Sequence, residues 1–289
     1  MLQRVARLCT VALLIYLVLP LLVIVPVSFT DERTLSLPSE SLSLQHYASL
    51  FADGDWLAAA AQSLLIGASS ATLATALGFL AASAVWLNRG LSTRMVTALA
   101  VMPMVVPPIV TALGLYKLYV PTRLIDTYAG VIAAHVIVGL PYAFVLCLAG
   151  LSATAPSLFH TARSLGAPPL AALCRVVLPS VWPAVLSGWI FAFLHSWDEL
   201  LITLFVSSRT VYTLPRMMWD GLNENLDPVI ASVSVLLLLL STLLLFAREL
   251  LGRKAAPLRA SRAPQGAMRA ERRSRIRRIL DGGGAGSHD

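Results

Sequence analysis

Charge is scarce in this sequence. Only 13% of its 289 residues are Asp, Glu, Lys or Arg, about half of the roughly 25% found in soluble domains. That is too little to coat a water-facing surface. Lysine is almost missing: there are two, Lys117 and Lys254, and neither follows a glycine. A G-x-x-x-x-G-K-[ST] phosphate loop is therefore excluded, and with it a P-loop ATPase made from this chain alone. There is no H-E-x-x-H and no paired-cysteine metal motif, and the five histidines (His46, His135, His160, His195, His288) are scattered. Neither a metal nor a cofactor is expected. The three cysteines, Cys9, Cys147 and Cys174, are odd in number and lie in or beside apolar segments, so no disulfide framework is implied. For an intramembrane hydrolase the one suggestive pair is Ser187-Gly188, and small residues at such positions read as helix-packing contacts.

What the sequence has in abundance is long apolar runs. Residues 8–29, 57–87, 95–119, 129–151, 182–206 and 229–247 form six segments, each near or above the length of about 20 residues that a membrane-spanning helix needs. Lipid offers no hydrogen-bond partner, so such segments are expected to be helices. The first run follows Arg4 and Arg7 like a signal peptide, but it is longer than the typical ~7–15-residue apolar core and lacks a small-x-small cleavage site. It reads as the first span. The second run exceeds a span, so part of it is expected outside the lipid. The third holds Pro103, Pro107 and Pro108, which remove amides and bend a helix.

Leaving out Lys117, which lies near a span end, seventeen Lys and Arg residues fall on the side shared by the termini and four on the other. The positive-inside rule then places both termini in the cytoplasm. Eleven of the seventeen lie from Arg248 onward. Before that tail basic and acidic residues balance, so the net charge of +7 does not point to nucleic acid. The tail, 251–289, reads as a basic, disordered cytoplasmic segment held near anionic lipid, with Ala270–Leu280 able to form a short basic helix. The outer loops, Thr30–Trp56 and Ser207–Pro228, lean acidic: they read as ordinary solvated loops or, functionally, as a docking face or an entrance favouring cations.

The connection between the fourth and fifth spans, 152–181, is long for a tether. Ser157–Leu165 is expected to be a short helix opened by Pro156, with Gly166 at its left-handed end and a second short helix opened by Pro168. Leu165, Leu170, Leu173 and Val176 would form an apolar face. The pattern E-A-A-x-x-x-G, nine residues, then I-x-L-P marks the permease subunits of bacterial ABC importers, and this segment resembles it at His160, Thr161, Ala162, Gly166, Val176, Leu178 and Pro179. His160 replaces the acidic residue and Thr161 the first alanine. Phe193-Leu-His-Ser-Trp-Asp-Glu-Leu, Thr213-Leu-Pro-Arg-Met-Met-Trp and the proline-rich third span are similar to the spermidine/putrescine branch. The resemblance covers roughly residues 8–250.

It implies an all-α membrane protein with the MetI-like type I ABC importer permease fold of six transmembrane helices, residues 1–250 forming the permease domain in the bacterial inner membrane. It implies two ATP-binding subunits, which dock on the coupling loop, a second and different permease subunit, and a periplasmic or extracytoplasmic solute-binding protein. The chain itself would be no enzyme. Polyamines are the first substrate expectation; related permeases carry opines, phosphonates, iron and other organic cations. A self-sufficient secondary carrier is the alternative, but no internal inverted repeat is visible and a carrier would not need the coupling pattern.

An ionised residue at mid-membrane costs about 2.5–3.5 kcal/mol on insertion scales. Asp198 and Glu199 are therefore expected to line the translocation path, with Trp197 beside them and Pro107 and Pro108 in the third span, or else to form a network with the partner permease or to sit close enough to water to be cheap. Trp182, Trp189, Trp197, Tyr212 and Trp219 near span ends are expected to anchor at the membrane interface, or to form a cage for an amine. His195 reads as a packing residue.

Overall fold

The computed structural model describes residues 2–39, 41–88, 90–224 and 227–260. Among these, five helices are long and apolar enough to cross a membrane, six if one bent pair counts as a single span. The helices are α1 (Leu2–Val27), α2 (Gln45–Ala52), α3 (Gly54–Leu87), α4 (Leu91–Val105), α5 (Pro108–Thr122), α6 (Tyr128–Ser152), α7 (Ser157–Ser164), α8 (Pro169–Ala172), α9 (Leu178–Trp197), α10 (Leu201–Val206), α11 (Leu214–Glu224) and α12 (Val229–Ala260), with a π turn at Leu173–Val177 between α8 and α9. The chain divides into two compact units, Met1–Arg248 and Glu249–Asp289.

The centre of the first unit is a bundle of α3, α6 and α9, and small residues explain how closely these helices approach. Without a hydrophobic force between helices in lipid, close backbone contact does the holding. A Cβ at Gly78 of α3 would lie 2.9 Å from the Phe144 amide nitrogen of α6. One at Gly150 of α6 would collide with Ala184 of α9. The 34-residue α3 is about 51 Å long at 1.5 Å per residue, well beyond the roughly 30 Å hydrocarbon core. Asp53 starts it, its carboxylate accepting from the Asp55 amide at 2.9 Å.

The third span is not one helix over 95–119. It breaks between α4 and α5, which are bent by 104°. Val106 and Pro107 each precede a proline, which drives them from helical to extended backbone, with ψ of 130° and 134°. Pro108 then opens α5, where its missing amide costs nothing. Beyond the break α5 turns towards α10: Ala112, Leu115 and Tyr119 share a buried cluster with Ile202 and Val206.

The fifth span also differs from 182–206. The apolar helical stretch runs from Pro169 to Trp197, so residues 169–181 of the expected loop 152–181 belong to the span. Pro179 supplies no amide for the preceding turn, and the chain widens there instead: the Leu178 amide bonds to the Leu173 carbonyl, five residues back. At the other end the helix stops at Trp197, and Leu201–Val206 is a separate helix.

Helix α1 is exposed from Val5 to Val23, Pro20 apart. The segment after it is anchored: Ser28 and Tyr47 hydroxyls lie 2.8 Å apart, and Ser232 donates to the Ser28 carbonyl at 3.4 Å. Where the sequence places disorder from 251, the final helix continues to Ala260. The basic helix expected over 270–280 and the rest of the tail lie outside the described residues.

Candidate functional site

Two places carry the sequence-derived candidates: the loop between α6 and α9, and the end of α9.

In the loop, Pro156 opens α7 and Ala162 is its buried residue. His160 and Thr161 are exposed, with the His160 ring edge-on to Phe159 at 5.7 Å. Gly166 has φ of 89°. Its amide bonds to the Arg163 carbonyl at 3.0 Å and that of Ala167 to the Ala162 carbonyl at 3.1 Å. These are the bonds of a left-handed helix end. The Arg163 guanidinium closes the turn by donating to the Ala167 carbonyl at 2.8 Å. The expected single apolar face divides: Leu165 and Leu170 stand out at 84% and 63% exposed, while Leu173 and Val176 are half-buried. Leu173 packs with Phe159 on the cluster around Val177 and Val181. Val176 lies in the π turn, and Leu178 and Pro179 open α9. The seven pattern residues thus form a turn plus the root of the fifth span. This end of the bundle is tied by Trp86, whose indole donates to the Thr154 carbonyl at 3.1 Å.

At the end of α9, Asp198 leaves helical geometry with ψ of 0° and is exposed. Glu199 is buried, at 9% exposure. One of its carboxylate oxygens accepts from the Ile202 amide at 2.9 Å, satisfying a free donor at the start of α10. The other lies 3.9 Å from His195 Nε2, and His195 packs on Tyr142, ring centres 4.7 Å apart. The two acids are therefore unlike: one faces outward, the other caps a helix. Pro107 and Pro108 are exposed at the α4–α5 break.

Trp197 is not an interface anchor. It is 9% exposed and stacks on Phe193 at 5.4 Å, which stacks on Trp189 at 5.5 Å. Spacing of four residues puts the three rings on one face of α9. The face of Tyr212 is taken by this chain's own cation, Arg216, 5.7 Å from the ring centre. Trp182 and Trp219 are exposed at 52% and 45%.

Asp126, between α5 and α6, had no signal in the sequence. It adopts a left-handed φ of 58° and accepts from the amides of Ser208, Arg209, Thr210 and Val211 at 2.8–3.1 Å. Partial burial pushes its carboxyl up, but the four amides outweigh this and hold it well below the ordinary carboxylate range. It locks the loop between α10 and α11 to the loop before α6.

Residues 74–257 match the family model for the binding-protein-dependent transport system inner membrane component. The chain is 29% identical over 239 residues to the spermidine/putrescine transport system permease protein PotC of Haemophilus influenzae, covering 83% of this chain and 93% of that protein. It is 30% identical over 230 residues to the putrescine transport system permease protein PotI of Escherichia coli K12, covering 77% and 82%. A chain of a bacterial ABC transporter involved in alginate import shares the fold with a TM-score of 0.64 at 14% identity, over 89% of this chain and 95% of that one. The turn at Gly166, the broken spans and these likenesses have one common account: the chain belongs to the binding-protein-dependent transport system inner membrane components, the inner-membrane permeases of ABC importers, with the MetI-like fold.

Proposed function

We propose that this permease imports a small organic cation of the polyamine class, using ATP hydrolysed on partner subunits and having no ATPase site of its own. The observation that carries the solute class is the pair of carboxylates at the α9–α10 break, Asp198 exposed and Glu199 beside it. A carboxylate in a low-dielectric path attracts ammonium groups and repels anions. The naming of the Haemophilus and Escherichia relatives for spermidine and putrescine supports the same class.

In this reading both termini are cytoplasmic, so the Gly166 turn faces the cytoplasm. Its outward Leu165 and Leu170 dock on one subunit of an ATPase dimer, and the rigid link from α7 through the π turn into α9 passes the motion of that dimer to the span that ends at Asp198. A second, different permease subunit completes the path, and an extracytoplasmic solute-binding protein delivers the cation to the outer face. His160, in place of the family's acid, changes one polar contact with the ATPase while leaving the turn intact. Residues 1–250 form the transport domain, and the remaining basic residues hold the C-terminal segment near anionic lipid.

Uptake of labelled putrescine and spermidine by cells expressing this chain with its partner subunits tests the reading, with Gly166→Val, a β-branched residue that the left-handed φ of 89° excludes, as the uncoupled control. Uptake in the wild type and its loss in the variant, at equal membrane levels, is expected. Uptake of neither polyamine would overturn the solute class, and full uptake by the variant would overturn the coupling role of the turn. Competition by opines, phosphonates, iron chelates and other organic cations then names the class.

A further inference from the structure

A second polar cluster lies inside the bundle. Ser70 of α3, His135 of α6, Ser196 of α9 and Thr203 of α10 are all buried, none more than 5% exposed. Polar groups placed there cost free energy unless they bond to one another. His135 Nδ1 lies 2.7 Å from Ser196 Oγ, and Nε2 lies 3.2 Å from Thr203 Oγ1. Ser70 Oγ donates to Ser196 Oγ at 3.0 Å, sharing its proton with the Gly67 carbonyl at 3.2 Å. Thr203 Oγ1 donates to the Glu199 carbonyl at 3.0 Å.

The donors and acceptors have one consistent assignment. A hydroxyl owns one proton. Thr203 gives its proton to the Glu199 carbonyl, so it accepts from the ring, and the ring proton sits on Nε2. Nδ1 is then an acceptor and takes the Ser196 proton, while Ser196 accepts from Ser70. The chain runs in one direction through four helices and ends on the backbone of the acidic bend. Its middle member bonds to both flanks of the α9–α10 break, Ser196 before it and Thr203 after it. Neutral imidazole can do this because it donates at one edge and accepts at the other.

We propose that His135, as the neutral Nε2–H tautomer, is a positioning residue for transport: it bridges the two helix ends that flank Asp198 and Glu199 and so sets where these carboxylates stand. The proposal rests on the reading of the acidic bend as part of the solute path.

The test separates the two ideas. In a chain with Cys9, Cys147 and Cys174 changed to Ala, Asp198→Cys is labelled with a membrane-permeant maleimide, which reports the position of the bend whatever the solute. Adding His135→Leu is expected to change the labelling rate severalfold, and Thr203→Val, which keeps the side-chain shape, to change it in the same direction. His135→Gln, which keeps a donor and an acceptor, is expected to restore most of the wild-type rate. In putrescine uptake by the complete transporter, His135→Leu is expected to raise KM about tenfold, the loss that corresponds to one buried hydrogen bond, with a smaller effect on the maximal rate. If His135→Leu fails to reach the membrane, Thr203→Val decides. Unchanged labelling overturns the positioning role even where Asp198→Asn still raises KM, and the path reading then survives. Altered labelling with an unchanged KM in His135→Leu overturns the role in transport. An unchanged KM in Asp198→Asn and Glu199→Gln overturns the path reading, and the transport role of His135 with it.

Discussion

Both carboxylate oxygens of Asp126 accept a hydrogen bond from the amide of Thr210, at 3.1 and 2.9 Å, across 84 residues of chain. With the amides of Ser208, Arg209 and Val211 this makes one side chain the clasp between two loops. The sign of its pH dependence follows from the lowered carboxyl pKa. A group held below its unfolded value stabilises the fold above that value, about pH 4 for Asp, and the contribution is lost as pH falls below it towards the folded value. Asp126→Ala is expected to cost about 2 kcal/mol, the range for hydrogen bonds to a charged group, and to speed amide exchange at 208–211. The gap in melting temperature between wild type and variant should stay constant from neutral pH to about pH 4 and narrow below it. A gap unchanged down to pH 2 would contradict the clasp.

At Gly166 the constraint is backbone conformation, since a Cβ there would meet nothing within 4 Å. A non-glycine residue in the left-handed region costs roughly 1–2 kcal/mol, and asparagine tolerates it best. Gly166→Ala is expected to cut uptake severalfold, and Gly166→Asn to cut it less, at equal membrane levels. Equal activity of the two variants would argue against the turn as the reason for the glycine.

Helix contact predicts a rescue. Gly150→Ala should destabilise the detergent-solubilised protein by about 1–3 kcal/mol, the cost of overpacking a core, because its Cβ collides with Ala184. Combining it with Ala184→Gly should recover much of the loss. Thermal unfolding followed by size exclusion reads both, and additive losses would mean the two helices do not meet there.

The two acids are expected to differ. Asp198→Asn removes an exposed charge and should raise the KM for a cation while leaving the melting temperature unchanged. Glu199→Gln keeps an oxygen for the Ile202 amide and should fold normally. Glu199→Ala removes that acceptor and should also lower stability, by about 1 kcal/mol as for a lost helix cap. Identical melting temperatures for the Gln and Ala variants would show that the cap contributes nothing.

Much of the turn at Gly166 was legible beforehand because its signals are local. Pro156 opens a helix, Gly166 ends it, and a proline pair restarts the chain, each through its own φ and missing amide. The bend of the third span was legible for the same reason. The broken fifth span was not. Its apolar run resumes at Leu200 after Asp198 and Glu199, and an acidic pair does not by itself announce that the helix stops there and that Glu199 turns to cap Ile202. Trp197 misled in the same way: closeness to a span end says interface, whereas stacking on Phe193 puts it inside.

The sequence by itself determined that this chain lives in a membrane, where its apolar segments lie and which loop carries the family pattern. Those are properties of hydropathy, charge placement and single residues, and they survive without knowledge of any neighbour. Only the tertiary structure decided that His135 joins Ser196 to Thr203, that Asp126 clasps residues 208–211, and that Gly78 and Gly150 are contact points between helices. Each of these depends on which distant segments face one another. In lipid that choice is made by close packing of small residues and by satisfying buried polar groups, neither of which leaves a periodic trace along the chain.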